Sequence, residues 1–600
     1  MTAPAPSACR RLRNAACAAV LAAIATFAHA ADPAKVLRVE FRVAESTFDP
    51  QALSDNYSAQ VVDAIFDPLY TYDYLARPAK LVTRTAAALP EITDGGRTYT
   101  IRVRSGIYFA NDPAFKGQKR ELTAADYVYS IQRIFDPKVR SYWLYLFENH
   151  LVGLDEVLAK ARKSGALDYA APIAGLTLVD RYTFRVRFNE PDYSFQHWLT
   201  TAQFAAVARE VVERYGDESR RVAEHPVGTG AYRLKSWTRG QKIVLEANPD
   251  YRDERYPAPP AGDAGAAEAA KNLTGQRLPL AGTVEISVLE EAQPRLLSFE
   301  RGQLDLLELP PSLAANVLDS DGLKPRFGDK GVRLYRQVEP SMSFFFFNMD
   351  DPVVGGYTPE KIALRRAISL AYDRDAYTRT ILNGQALPAS QPVPPSVPGY
   401  ERSLRPTPYD PAAARALLDK FGYKDRNGDG YRELPNGKPL VIVRASTPDA
   451  AARASDELWK RCMDAIGIRM TDFKQKWPEL NKMSEAGQLQ MWGLAWITTI
   501  PDADSFYSNL YSKNIGTSND ARLRLAEYDR AYEAARRLPD SPERSALYRK
   551  MTDLVNAYAP WLLATYPYDN ILAQPWVRGY RQHPFLRGQY RFYDVERATR

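Results

Sequence analysis

Apolar and polar residues alternate along this chain in two rhythms, and the rhythms take turns. Period-two alternation marks residues 36–43, where Leu37, Val39 and Phe41 share one face. It returns at 98–104, at 176–188 around an Asp180-Arg181 turn, and at 243–247. Helical spacing marks 57–70 and 123–135, where Thr123 is placed to cap and Asp126 sits near the positive end of the helix dipole. A second series then begins. It has strands at 284–288, 305–309, 343–347, 440–445 and 491–496, and helices at 292–301, 359–372, 410–421 and 451–465. Residues 521–558 read as mostly helix, and 562–572 as extended. Such alternation predicts an α/β architecture. Between the two series, 256–282 is rich in Ala, Gly and Pro and lacks a sustained apolar stripe. It reads as a surface insertion with a short helix at 261–272, not as a binding element.

The first thirty residues break both rhythms. Arg10, Arg11 and Arg13 precede an apolar run at 15–27, and Ala28-His29-Ala30 supplies the small-x-small pattern of an export leader cleaved near Ala30. The run is too short to span a bilayer comfortably, and no later stretch approaches the required length. Removing it takes the net charge from +7 to +4, with both signs interspersed, which argues against a nucleic-acid partner. Cys9 and Cys17 leave with the leader. Cys462 stays alone within a helical pattern, as a small buried apolar residue.

Catalytic and cofactor chemistry finds little support. The four histidines after the leader, His150, His197, His225 and His583, are scattered without zinc spacing. There is no Gly-x-Ser-x-Gly elbow and no phosphate loop. Gly228-Thr229-Gly230 lacks the third glycine of a dinucleotide fingerprint and reads as a tight turn. Asp425-Arg426-Asn427-Gly428-Asp429 imitates half of a calcium loop, but the closing position is Asn436, so a turn before a short hairpin is favoured. The expectation is a non-enzyme without cofactor or metal.

Ordered motifs carry the functional signal. Residues 90–107 followed by 122–130, then Gly228-Thr229-Gly230-Ala231-Tyr232, then 244–251, form its first half. Glu300-Arg301-Gly302-Gln303-Leu304-Asp305, Leu364-Arg365-Arg366-Ala367-Ile368, Ala371-Tyr372-Asp373-Arg374 and 575–580 complete it. In this order they resemble the bacterial solute-binding proteins of family 5, the peptide- and nickel-type receptors of ABC importers. The resemblance implies a bilobal type II periplasmic-binding-protein fold with an extra subdomain in the first lobe. Lobe I would cover 31–289, with the subdomain at about 70–185, lobe II 290–565, and 566–600 would return to lobe I. It further implies a monomer in the periplasm that delivers a peptide or peptide-like solute to an inner-membrane permease and its ATPases. An oligosaccharide, a metal complex or a haem complex stays open as the solute. A secreted hydrolase, or a binder working without a transporter, are the weaker alternatives.

By the same resemblance, Glu45 and Ser46 stand where peptide backbone is met, and Thr229 where some receptors carry a ligand-contacting asparagine. Trp496 and the loop through Thr498, Thr499 and Asp502 match the segment that presents an aspartate to the ligand's amino terminus. Thr499 occupies that aspartate's position, which leaves Asp502 or Glu45 as substitute anchors, because a charged amine in a dry cleft needs a partner. Tyr145, Trp492, Trp496, Tyr566 and Tyr568 are the candidate cleft aromatics.

Overall fold

A computed structural model describes residues 31–319 and 322–596 of the chain. The expected leader, 1–30, lies outside the described residues. None of the described helices is long and apolar enough to cross a membrane.

The first body is built on a four-stranded sheet ordered Val36–Phe41, Thr283–Val288, Lys242–Ala247, Tyr232–Thr238. The first pair is parallel and the others antiparallel. Alternation works as expected here: Leu37, Val39 and Phe41 are buried while their neighbours are half-buried. Helix Asn56–Ile65 starts where the Asp55 carboxylate accepts from the Tyr57 and Ser58 amides. It ends five residues short of the expected limit. Pro68 disfavours helix at the residue before it, and Tyr70–Tyr72 becomes a strand instead.

A separate antiparallel sheet, Glu91–Thr93, Thr98–Arg102, Thr183–Arg187, Leu176–Asp180, carries the 90–107 motif. Across it lies helix Ala124–Phe135, whose Thr123 and Asp126 form the reciprocal capping box that their spacing invites. Arg133 on that helix is fully buried and paired with Asp49 at 2.6 Å, which ties the subdomain to the first body. The 256–282 insertion departs from its reading as a surface segment. Tyr256, Ala266, Ala270, Leu273 and Leu278 belong to the same apolar core, with only Ala264–Ala270 helical. Small residues at 264–270 let the helix pack closely without an obvious stripe.

The second body is an eight-stranded sheet. In strand Ser341–Phe347, Phe344 and Phe346 enter one apolar cluster and Phe345 and Phe347 another. Both faces are covered, which is why the run reads as continuous apolar sequence rather than alternating. The 13-residue strand Trp561–Ala573 joins the bodies. Its first half pairs with Ser341–Phe347, and its second half with Leu306–Glu308 and Arg333–Val338. Beyond it, Val577, Tyr580, Tyr590, Phe592, Tyr593 and Val595 complete the core of the first body. Cys462 is buried, with burial raising its thiol pKa.

Candidate functional site

The rim of the first body begins where the parallel strands Val36–Phe41 and Thr283–Val288 end side by side. There Val43 is half exposed and Arg42 pairs with Glu308 at 3.3 Å. Glu45 turns inward. One carboxylate oxygen accepts from the Trp237 indole N–H and from the Gly240 amide at 3.0 Å, so it fixes that turn. The other oxygen is buried with no hydrogen-bond partner among the described residues. Ser46 is exposed, and its hydroxyl donates to Asp55 at 2.5 Å. Thr229 is buried and donates to Asp67 at 3.0 Å, a carboxylate held between Arg84 and Arg252. Its flanking glycines are required by close approach: a Cβ on Gly228 would sit 2.1 Å from the Ile65 carbonyl oxygen.

The facing rim comes from strand Met491–Ile497, antiparallel to Ser341–Phe347. Trp492 is buried in the apolar cluster, whereas Trp496 is half-buried, with an indole N–H that has no partner among the described residues. Ile497 and Thr499 are exposed, and the Thr498 hydroxyl donates to the Ile500 carbonyl at 2.9 Å. Asp502 is only 4% exposed. Its two oxygens each accept from Arg544 at 3.0 Å, and Tyr548 and Ser194 add hydroxyl donors at 3.2 and 3.1 Å. Burial pushes this carboxyl up, but Arg544 more than reverses that and holds it below the ordinary range. Two residues on, burial and the nearby Asp502 charge raise Asp504 to about 6, against the pull of Arg536.

Ser194 belongs to the segment after the subdomain sheet, so its bond to Asp502 crosses between the bodies, as does the Glu190–Arg537 pair at 3.4 Å. The hinge floor carries a small cavity of about 100 Å³ bounded by Glu40, Tyr57, Glu308, Asp569, His583 and Arg587. Arg587 bridges Asp569 and Glu339 at 3.4 and 3.3 Å, and Glu339 lies between strands Arg333–Val338 and Ser341–Phe347.

The other expected aromatics divide. Tyr145 is half exposed beside Tyr142 and Trp143 in the turn Tyr142–Leu146. Tyr566 is 1% exposed, and its hydroxyl donates to the Gln391 carbonyl while accepting from the Ser390 and Gln391 amides, so it braces a loop. Tyr568 stacks under Arg336. In the calcium-like loop, Asp425 accepts from the Gly428 and Gly430 amides, and Asp429 pairs with Arg469. The two Asp425 bonds are those of a tight turn, the Arg469 pair reaches to strand Arg469–Lys474, and carboxylate oxygens of Asp425, Asp429 and Glu433 lie within 4.8 Å of one another. Arg544 escaped the sequence reading although its signal was present. It falls on the stripe Arg544, Tyr548, Met551, Val555 of helix Pro542–Tyr558, and a cation on a buried face demands a carboxylate.

The chain is similar to known proteins in sequence and fold. Heme-binding protein A of Haemophilus influenzae is 26% identical over 84% of this chain and 82% of its own length. Di/tripeptide-binding protein 2 of Pseudomonas aeruginosa is 27% identical over 94% and 96%. The periplasmic binding protein DppA of Helicobacter pylori, solved with the peptide STSA, superposes with a TM-score of 0.68 at 21% identity, covering 94% of this chain and 98% of that one. Its likeness identifies the bilobal fold. The description of bacterial extracellular solute-binding proteins, family 5 Middle, matches residues 80–518. The chain therefore belongs to the family 5 bacterial extracellular solute-binding proteins.

Proposed function

We propose that this protein is the periplasmic receptor of an ABC importer, closing two lobes on a peptide or peptide-like solute and presenting it to an inner-membrane permease. Di/tripeptide-binding and heme-binding relatives bracket the solute class. The lobes would divide near residue 290 and rejoin near 566, within strand Trp561–Ala573. Closure expels water and strengthens the few polar contacts inside. The chain would act as a monomer, without catalysis, after losing its leader near Ala30.

One observation shapes the ligand. Thr499 is exposed, while both Asp502 oxygens are taken by Arg544. This rim segment thus offers no exposed carboxylate to an ammonium group, Asp504 being largely buried as well, and Glu45 has one oxygen committed to the 237–240 turn and the other buried without a hydrogen-bond partner among the described residues. That favours a solute whose amino terminus is blocked, or recognised elsewhere, over an ordinary free dipeptide. Native mass spectrometry of co-purified solute, followed by calorimetry on the stripped protein, tests it. A mixture of free-amine peptides binding at full affinity would overturn the blocked-amine reading, and hydrolytic turnover would overturn the receptor reading. Thr499→Asp should raise affinity for free dipeptides about tenfold or more, by supplying the charge-assisted bond. N-terminal sequencing of the periplasmic form should begin near Ala31.

A further inference from the structure

A cavity of about 650 Å³ lies away from both rim segments, and it is markedly basic. Among the described residues its wall brings together Arg77, Lys271, Arg333, Arg336, Arg578 and Arg581, with Glu268 as the one carboxylate. Two of the arginines carry outside partners: Arg578 pairs with Glu596 at 2.6 Å and Arg581 with Asp263 at 2.7 Å. Even with those counted, Arg77, Lys271, Arg333, Arg578 and Arg581 meet three carboxylates.

The guanidinium groups of Arg77 and Arg333 are aimed by neutral oxygens. Arg77 donates to the carbonyls of Tyr74, Ala76 and Gln582, and Arg333 to those of Gln574 and Val577. Such bonds orient a guanidinium and leave its charge in place. Crowding has a visible cost, since burial and the adjacent Arg581 bring Arg77 down to about 10. Arg581 Nη1 is buried with no hydrogen-bond partner among the described residues.

We propose that this cavity is a second binding site, for a small polyanion bearing two or more phosphate or carboxylate groups. Its walls come from the 256–282 insertion, from strand Arg333–Val338 and from the segment that follows Trp561–Ala573. An occupant would therefore tie the insertion to both strands that lead into the hinge. Several cationic side chains lining one space suit oxyanions, and their number favours a multivalent ligand over a monovalent one.

Calorimetry of the full mature chain in phosphate-free, low-salt buffer would use pyrophosphate and citrate as separate probes. The site predicts one-to-one binding of at least one of them, weakening steeply with added sodium chloride, and a raised melting temperature. The preferred probe tells phosphate from carboxylate. Lys271→Glu and Arg578→Gln alter side chains that reach solvent and should leave the fold intact, each lowering affinity about tenfold. Arg333→Gln probes the centre. Should it fail to fold, the two exposed variants still decide. Absence of heat and of any melting shift at millimolar probe would overturn the proposal, as would binding unchanged in the Lys271→Glu, Arg578→Gln double variant.

Discussion

Asp502 and Arg544 illustrate how one ion pair changes the reading of a site. Both side chains are under 5% exposed. Removing one charge would leave the other buried and unpaired, so Asp502→Asn should cost about 3–5 kcal/mol in urea unfolding. The Asp502→Leu, Arg544→Met double variant should cost less than either single change. A residue serving only as a ligand anchor would leave unfolding unaffected and move only solute affinity. Glu45 was legible as a rim residue from its place after the first strand. Its bonds to Trp237 and Gly240 were not, because they join positions almost two hundred apart. That a threonine and not a carboxylate stands three residues after Trp496 needs no coordinates.

At the scale of elements, the boundaries followed the local chemistry. The capping box at Thr123, the strand Val36–Phe41 and the apolar run Ser341–Phe347 all stand where periodicity put them. Strand Arg469–Lys474 was missed because its burial is partial and its residues are mostly polar. Gly228 marks the junction of helix Asn56–Ile65 with the turn before Tyr232–Thr238. Gly228→Ala should destabilise by about 3 kcal/mol in thermal or urea melts, since backbone rather than a flexible side chain blocks the new methyl group. Asp504, in the short helix Asp504–Tyr507, gives a pH signature. Its carboxyl is raised from an ordinary 3.8 to about 6, so the folded chain holds a proton that the unfolded chain has released. Its contribution to stability is full below pH 4 and is lost as pH rises through 6. Asp504→Asn should remove that slope and gain on the order of 1–2 kcal/mol at neutral pH, read from denaturant midpoints across the range. Asp502 has the opposite sign, contributing above its unfolded pKa and failing as pH falls below it.

For the whole molecule, the α/β class and the two strand–helix series were legible because each element carries its own periodicity. The joining of the bodies was not. Nothing local in Trp561–Ala573 announces that its two halves serve different partners, and the core role of 256–282 hides behind small residues. A chain ending at Ala573 would lack Val577, Tyr580, Tyr590, Phe592, Tyr593 and Val595 from the first core. Hydrogen exchange should then show Val36–Phe41 unprotected while Ser341–Phe347 keeps slow amides. That same return of the tail has a temporal meaning. A ribosome makes Leu37 more than five hundred residues before Val595, so the first body cannot seal its core until the segment Val577 to Val595 has been made. For a chain exported as proposed, that late closure would leave the first body open to threading through a narrow pore before it folds.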